Sequence, residues 1–416
     1  MTTVTDKYTE AYETLSLSEA KQNAFKFFKE NGFPNRRNEV YKYTKMNHFR
    51  NLKPYTAFEL PEEVPTFFTH HYMETHLLVF VNGVFSTKLS NYTEEKGLHF
   101  FFDNAVKENQ EIEDPFISLA KTFAQNKLTI QVDKNTVVSK PILIMHLATG
   151  QGEDVMINTE QKVVLGENAE VQILEDFLNP SGTNFNLNSN FEYEVAQNAN
   201  LHINIYQEED NFYYVGNRNI NQERNSNVFI TNPMFDGNLV RNYFIANING
   251  ENAHCEINGT FLNHEKMHTD TRIRINHMAP NCTSNQLFRG VLYDNSTAVF
   301  NGKVYVDRLA QKTNAYQSNR NLVLSEDAII YTKPELEIYA DDVKCSHGAT
   351  TGQLDEDAIF YATQRGIPKE KAKALIVFAF AQESLKAIKN EAIKNFFERR
   401  IVLKMDLKEY SSAEFE

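Results

Sequence analysis

The sequence predicts a mainly β protein in which coils of strands stack into a β-helix, or solenoid, with helical domains at both ends. Turn-forming corners recur at a regular spacing through the middle of the chain, and alternating apolar and polar residues follow most of them. The two ends carry helix-type patterns instead. We therefore expect a helical region with a β-hairpin over residues 1–125, the β-helix core over residues 126–350 and a C-terminal helical domain over residues 351–416.

The composition is that of a folded chain. Of its 416 residues, 41% are hydrophobic and 23% are charged, and the net charge of −13 argues against general binding to nucleic acids. Three cysteines cannot form a disulfide framework, which favours a reducing compartment. The N-terminus lacks a signal-peptide pattern, and the longest apolar run, Ala374 to Ala381, is shorter than the about 20 residues of a membrane span. We expect a cytoplasmic protein that binds no membrane.

Helix patterns dominate the N-terminal region. Ser16 and Glu19 have the spacing of a capping box, and apolar residues from Ala20 to Phe28 then recur on one helix face. Shorter elements follow: an amphipathic stretch over residues 38–52, a hairpin over residues 75–89 with its turn at Asn82-Gly83, and a helix over residues 114–126.

The corners of the central region predict its architecture. They are Glu167-Asn168-Ala169, Gln197-Asn198-Ala199, Asn225-Ser226-Asn227, Glu251-Asn252-Ala253 and Pro280-Asn281-Cys282, with Glu326-Asp327-Ala328 further on. The first five are separated by about 26 to 30 residues. Asparagine tolerates left-handed backbone and caps its own turn. Because no helix-length apolar period intervenes, each unit should be a coil of strands, and such a stack needs caps at its ends and a partner or cover along its edges.

The C-terminal region returns to helix. Leu354 to Arg365 predicts one helix that stops at Gly366. Pro368 suits the first turn of a second helix, which continues from Lys369 to Met405 without glycine or proline. Its segment from Ala374 to Ala381 is apolar all round, so we expect this helix to be covered on most sides.

One motif raises the alternative of a zinc hydrolase. His264-Glu265-Lys266-Met267-His268 matches the H-E-x-x-H pattern. That chemistry needs a helix to bring both imidazoles to one metal, whereas the flanking residues alternate as strands do. Four residues of strand span about 13 Å, too far for one metal without a sharp bend. A carbohydrate-active β-helix enzyme is a second alternative, although the chain has no obvious cluster of acidic residues.

Cys345 and His347 form a different pattern. At positions i and i+2 they lie on one face of a strand, about 7 Å apart at Cα. Thiolate and imidazole together suit iron, zinc or an iron–sulfur cluster. Two ligands cannot complete a four-ligand site, so a metal here needs groups from a neighbouring chain; the alternative is a core cysteine beside a surface histidine. Cys255 shares strand parity with Ile257, which favours a place in the core.

The sequence around this pair carries a family resemblance. It comprises Ala310-Gln311-Lys312-Thr313-Asn314-Ala315, Asn319-Arg320-Asn321-Leu322-Val323-Leu324-Ser325, Pro334-Glu335-Leu336-Glu337-Ile338, Ala340-Asp341-Asp342-Val343-Lys344-Cys345-Ser346-His347-Gly348-Ala349-Thr350, Phe360-Tyr361 and Arg365-Gly366-Ile367. Upstream, Glu39 with Tyr41-Lys42-Tyr43-Thr44 is similar to a Glu-x-Trp-Lys-Tyr-Thr motif, with tyrosine in place of tryptophan. Together these segments resemble the SufB/SufD family of iron–sulfur cluster assembly proteins, and the form Lys-Cys-Ser-His-Gly-Ala resembles its SufD branch.

The resemblance implies a fold and a function. It implies a right-handed parallel β-helix with helical domains at both ends, which acts as a non-catalytic scaffold beside a homologous SufB-like subunit. A SufC-like ABC ATPase is implied to dock on the C-terminal helical region, around Phe360, Tyr361, Arg365, Gly366 and Ile367. The nascent cluster is implied to form at the interface of the two scaffold subunits, where His347 takes part and Cys345 is its neighbour. Iron or cluster is then held transiently in the complex and not by the isolated chain, which could pair with itself as a homodimer along its free edge.

Overall fold

The computed structural model describes residues 4–56, 73–103, 112–150 and 154–405. Within these ranges, four helices and four short strands precede the solenoid. The helices are α1 (Val4–Thr14), α2 (Glu19–Asn31), α3 (Asn47–Arg50) and α4 (Pro115–Phe123), with a 3₁₀ turn at Glu39–Tyr41. The strands are β1 (Lys53–Pro54), β2 (His76–Val81), β3 (Val84–Phe85) and β4 (Leu98–Asp103).

The solenoid is a stack of about eight coils, each of which gives one strand to each of two sheets. The first sheet contains β5 (Lys127–Val132), β7 (Val155–Leu165), β9 (Phe185–Val195), β11 (Phe212–Gln222), β13 (Leu239–Ile248), β15 (His268–His277), β17 (Thr297–Val306) and β19 (Ile329–Ile338). The second contains β6 (Ile142–Leu147), β8 (Glu170–Leu178), β10 (Asn200–Ile205), β12 (Asn227–Met234), β14 (His254–Asn263), β16 (Thr283–Leu292), β18 (Asn314–Val323) and β20 (Lys344–Gly352). Neighbouring coils pair in parallel, so the predicted parallel β-helix with helices at both ends is confirmed.

Asparagine builds one corner of the coils, as the sequence predicts. The corner residues Asn168, Asn198, Asn225, Asn252 and Asn281 all have positive φ, with values of 58°, 61°, 56°, 67° and 61°. Their side chains also form a ladder, in which the Nδ2 of Asn198 donates to Asn168 and the Nδ2 of Asn225 donates to Asn198, both at 2.9 Å. The same residue therefore supplies the left-handed turn and a hydrogen bond to the next coil.

The inward faces of both sheets meet in a continuous apolar core. Cys255 lies there, fully buried and in register between Val228 and Ser284, so its predicted place in the core is confirmed. One ion pair crosses this interior. The guanidinium of Arg218 contacts the carboxylate of Glu175 at 3.2 Å and 2.5 Å, and both side chains are fully buried. Burial alone would lower the pKa of Arg218, but the Glu175 carboxylate raises it above its usual value.

Replacing Glu175 with glutamine should destabilise the whole solenoid. The change leaves the Arg218 cation buried without its counter-ion, among the rings of Phe191 and Phe244. Loss of one partner of a buried pair costs about 3–5 kcal/mol of unfolding free energy, which urea denaturation followed by circular dichroism will measure.

The matched control for this substitution is Glu370→Gln. Glu370 pairs with Lys373 at 2.9 Å, but this pair is exposed. Its loss should change the unfolding free energy by less than about 0.5 kcal/mol. Equal effects of the two substitutions would contradict the structural role of the buried pair.

The terminal helices cover the outer faces of the two sheets. On the first sheet, the N-terminal helices bury Tyr8, Phe28, Phe49 and Phe116 against Val215 and Leu239. Asp114 caps α4 by accepting a hydrogen bond from the backbone N–H of Phe116 at 2.8 Å, as the predicted helix start requires. On the second sheet, the C-terminal helices bury Val377, Leu385, Phe397 and Ile401 against Leu174, Tyr206, Leu262 and Val291.

The C-terminal region corrects one prediction. It contains α5 (Glu356–Gln364), α6 (Lys369–Ala381), a 3₁₀ turn at Gln382–Leu385 and α7 (Glu391–Lys404). The prediction of one helix from Lys369 to Met405 is therefore wrong, because the chain turns after Ala381. Asn390 then caps a new helix by accepting hydrogen bonds from the backbone N–H groups of Ala392 and Ile393. Pro368 is the N-cap of α6 and does not lie in its first turn.

The N-terminal region corrects another prediction and confirms a third. Helix α2 begins after Ser18, so Ser16 is not its N-cap and the Ser16–Glu19 capping box is wrong. The hairpin with its turn at Asn82-Gly83 is confirmed, although β3 has only two residues and β2 also pairs in parallel with β6. No helix in the described parts of the chain is long and apolar enough to cross a membrane.

Polar contacts tie the C-terminal region to several coils. In the 3₁₀ turn before α7, Glu383 accepts from the guanidinium of Arg289 on β16 at 2.8 Å. On α7, Arg400 binds both carboxylate oxygens of Glu208, at 2.8 Å and 2.7 Å. Lys404 donates to Asp236 at 2.9 Å. Because Glu208 follows β10 and Asp236 follows β12, α7 lies along the stack.

Candidate functional site

Cys345 and His347 lie on β20, in the last coil of the solenoid. Both share the parity of residues that face the interior, since Cys345 is in register with the buried Ala315 and His347 with the buried Gln317. No further coil of the described chain covers β20, so the interior is open here and His347 is exposed. The two residues are therefore brought to one face at an open end, as their spacing predicts.

The two side chains have different environments at this end. Cys345 is half-buried and packs beside Leu336, Val343 and Ala340 in a small apolar cluster. Partial burial raises the pKa of the Cys345 thiol above its usual value. This shift favours the protonated thiol, and a bound metal would have to displace that proton.

The structure limits what this chain can hold alone. Within residues 4–56, 73–103, 112–150 and 154–405, no three or more His, Cys, Asp and Glu side chains are placed to bind a metal together. Cys345 and His347 can supply two ligands at most, whereas thiolate-bound iron and zinc usually take four. We call the pair a candidate half-site, because a second chain must contribute the remaining ligands if a metal binds.

Both sheets end in a free edge beside this half-site. In the described chain, β19 pairs only with β17, and β20 pairs only with β18. Several large apolar side chains of the last coils are exposed here: Tyr316, Ile329, Tyr331, Ile338 and Tyr339. Unpaired strand edges with exposed apolar side chains are typical of a surface that binds another chain.

The N-terminal motif reaches the same region of the solenoid. Thr44 donates to Asp270 at 2.6 Å, and the carboxylate of Asp270 also binds Arg241. Tyr43 stacks on Tyr331 of β19 with ring centroids 4.1 Å apart. The segment that resembles Glu-x-Trp-Lys-Tyr-Thr therefore supports the first sheet close to its free edge.

The H-E-x-x-H motif lies in a corner and not on a helix. Glu265 has a φ of 50° and turns the chain between β14 and β15. The estimate of the distance between His264 and His268 assumed an extended strand and did not include this bend. His264 lies 3.6 Å from Asp236, which raises the pKa of His264. His268 contacts Thr44 at 3.1 Å, and burial lowers its pKa. The two imidazoles therefore have separate partners, and the described residues around them contain no group that could hold zinc.

The residues expected to dock an ATPase lie on α5 and just after it. Phe360 and Tyr361 are 64% and 61% exposed, which is unusual for two adjacent aromatic side chains. The guanidinium of Arg365 lies 4.4 Å from the ring centroid of Tyr361 and donates to its hydroxyl. Gly366 has a φ of 87° and ends this segment before Ile367. The structure places these five residues together on one exposed helical hairpin.

The sequence reasoning missed two residues at the site. Gln286 and Gln317 face the interior of the coils just before His347, and both are buried. In the second sheet the preceding coils place Ile230 and Ile257 at the same register position. An alignment of the coils by their asparagine corners would have found this change from isoleucine to glutamine.

The fold and this exposed end define a class of protein: a helix-capped parallel β-solenoid whose last coil presents a thiol and an imidazole beside free strand edges. Residues 147–380 match the family model described as SUF system FeS cluster assembly, SufBD core domain, and residues 4–144 match the SufBD protein N-terminal region. The chain belongs to the SufBD family of iron–sulfur cluster assembly proteins.

Individual relatives agree with this family. The chain is 32% identical over 373 residues to the iron–sulfur cluster assembly protein SufD of Escherichia coli K12, over 87% of each chain. It is 29% identical to a SufBD family protein of Synechocystis, over 85% of this chain and 84% of the relative. It is also 26% identical to SufD of Bacillus subtilis, over 71% of this chain and 67% of the relative. The resemblance to the SufD branch is thereby confirmed.

Proposed function

We propose that this chain is the SufD-type scaffold subunit of an iron–sulfur cluster assembly complex. In this proposal it is not an enzyme. Its last coil pairs with a SufB-like subunit, and the nascent cluster is cargo that forms between the two. The observation that carries the proposal is the position of Cys345 and His347 at an open solenoid end, beside the free edges of β19 and β20.

The geometry suits a scaffold that must release its cargo. Two parallel strand edges can add strands of a second solenoid through backbone hydrogen bonds, which fixes the two subunits in register. Ligands divided between two subunits can then be separated by a small movement of one subunit against the other. Four ligands on one rigid strand stack could not be opened in this way.

The exposed hairpin of α5 and α6 is the second part of the proposal. We infer that a SufC-like ABC ATPase docks on Phe360, Tyr361, Arg365, Gly366 and Ile367. Adjacent exposed aromatic side chains with a stacked arginine are the residue types most enriched in binding hot spots. ATP binding and hydrolysis then belong to the partner, and we place the complex in the cytoplasm.

Co-purification of the chain with SufB-like and SufC-like partners tests the proposal. We expect a stable three-protein complex that contains iron and sulfide. The isolated chain should retain neither. Stoichiometric iron on the isolated chain would contradict the half-site. Hydrolysis of polyuronides, or zinc held by His264 and His268, would favour the enzyme alternatives instead.

Charges placed on the free edge should prevent subunit pairing. Ile329 and Ile338 are exposed at the two ends of β19, and their replacement by lysine puts charge where a second chain must pack. We expect affinity for the SufB-like subunit to fall at least about 100-fold, because two apolar contacts of an interface centre are lost. Any homodimer of the isolated chain should dissociate as well, which analytical ultracentrifugation will measure.

Val137→Lys is the matched control for this surface. Val137 is even more exposed than Ile329 and Ile338 but lies near the opposite end of the solenoid, between β5 and β6. This variant should retain full affinity for the partner. Equal behaviour of the edge variant and the control would contradict the proposed interface.

A further inference from the structure

On the inward face of the second sheet, one row of side chains changes from apolar to polar as it approaches His347. One register position carries, from coil to coil, Ile142, Ile173, Ile203, Ile230, Ile257, Gln286, Gln317 and His347. Isoleucine fills the first five coils, as a solenoid core requires. The last two buried positions of this row carry amides, although nothing in the packing of the preceding coils calls for polar groups there.

Among the residues that the structure describes, the side-chain amides of Gln286 and Gln317 hydrogen-bond only to each other. The Nε2 of Gln317 donates to the Oε1 of Gln286 at 2.8 Å. The second polar atom of each amide, Gln286 Nε2 and Gln317 Oε1, is buried without a hydrogen-bond partner. An unsatisfied buried polar atom is costly to keep in a core, so such atoms usually have a function or a partner still to bind.

The opposite sheet keeps space for this pair. Gly302 on β17 faces the same interior, and a Cβ added there would lie 1.6 Å from Gln317 Nε2 and 2.6 Å from Gln286 Oε1. Alanine, the smallest replacement, would therefore displace the Gln317 amide. The glycine and the two glutamines form one arrangement that fixes the amide of Gln317 next to the strand of His347.

We propose that Gln317 is a positioning residue for His347. His347 is in register with Gln317 on the next strand. A change of the His347 rotamer lets one imidazole nitrogen donate its N–H to the unpartnered Oε1 of Gln317, and Gln286 holds the amide in the orientation that presents this oxygen. The lone pair of the other imidazole nitrogen then points out of the open end toward the cargo iron. Adjacent strands lie about 4.8 Å apart, which places in-register side chains of this length within reach of each other.

The chemical reason is the control of the imidazole tautomer. A metal binds the unprotonated nitrogen of a neutral imidazole, and a hydrogen bond from the other N–H fixes which nitrogen that is. Without an acceptor, the proton is shared between both nitrogens and the ring can rotate. The inference rests on the proposed function, in which His347 binds the cargo, but the tautomer itself can be observed without any cargo.

The tautomer is measured on the isolated chain labelled with ¹⁵N-histidine. Long-range ¹H–¹⁵N spectra at alkaline pH, with the His347 signals assigned from their loss in His347→Gln, should show one protonated and one unprotonated nitrogen. In Gln317→Met, which keeps the length of the side chain but has no acceptor oxygen, both nitrogens should move toward the average of the two values. Unchanged His347 signals in this variant would overturn the proposal.

Two further variants separate positioning from a structural effect. Gln317→Glu keeps an acceptor oxygen and should keep the wild-type tautomer, whereas Gly302→Ala leaves the amide intact but displaced and should give the mixed tautomer. In the three-protein complex, Gln317→Met should reduce iron content about 10- to 100-fold, the usual cost of losing such a supporting hydrogen bond. Wild-type iron content with a mixed tautomer would overturn the positioning role.

The failure of the proposed function gives a different result. If His347→Gln itself retains wild-type iron and sulfide, His347 does not bind the cargo, whatever tautomer Gln317 selects. If His347→Gln loses the cargo but Gln317→Met does not, the proposed function stands and the role of Gln317 is wrong.

Discussion

His347→Ala should leave the solenoid folded and the three-protein complex assembled but without its cargo. The side chain is exposed at the open end, so its removal creates no cavity in the packed interior. It does remove one of the two ligands that the chain can offer. We expect iron and sulfide in the complex to fall at least about tenfold, a loss no smaller than that from a supporting residue.

Ser346→Ala is the control for this prediction. Ser346 is exposed on the same strand but points to the opposite face, so its loss should not change the iron and sulfide content. Cys345→Ser then separates the two candidate ligands, since only a sulfur that binds iron makes this variant resemble His347→Ala. Unchanged iron and sulfide in His347→Ala would contradict the candidate site.

The double substitution Phe360→Ala and Tyr361→Ala should abolish ATPase docking. Both rings lie largely in solvent on α5, so truncation should leave the fold and the free strand edges as they are. Hot-spot aromatic side chains contribute about 2 kcal/mol or more each, which predicts a loss of affinity of at least about 100-fold. Isothermal titration of the chain with the ATPase measures this directly.

Tyr92→Ala with Phe101→Ala is the corresponding control, because these aromatic residues are also exposed but lie at the opposite end of the solenoid. Full affinity in the control and loss in the α5 variant is the expected outcome. Truncation after Gln364 is a poorer test. It removes α6 and α7, which bury the outer face of the second sheet, and would expose Leu262 and Val291. Tight binding by the α5 double variant would contradict the docking surface.

The solenoid could be predicted because the residues that each corner and strand need locally also produce the repeat that defines the whole fold. A corner such as Asn198 needs a residue that accepts positive φ, and asparagine is the non-glycine residue that does so most readily. Strand parity then places Cys255 in the core and puts Cys345 and His347 on one face of their strand. These features depend only on local backbone geometry and on a repeat that the sequence displays.

Contacts between distant parts of the chain could not be predicted in the same way. Arg218 and Glu175 are 43 residues apart and lie on different sheets, so their pairing depends on how the coils stack. The break between α6 and α7 contains neither glycine nor proline. It is stabilised by burial of Ser384 and Leu385 and by the contact of Glu383 with Arg289, none of which local sequence reveals.

The attachment of the C-terminal region to several coils has a mechanical consequence. A load applied to α5 passes into the rod through Glu383, Arg400 and Lys404, which are anchored at three different levels of the stack. The three contacts carry such a load together, so they would all have to break at once. A single attachment at β20 would instead pull the terminal strand away from the sheet. A motor that pulls on this hairpin would therefore swing the rod as one stiff lever and leave its end intact.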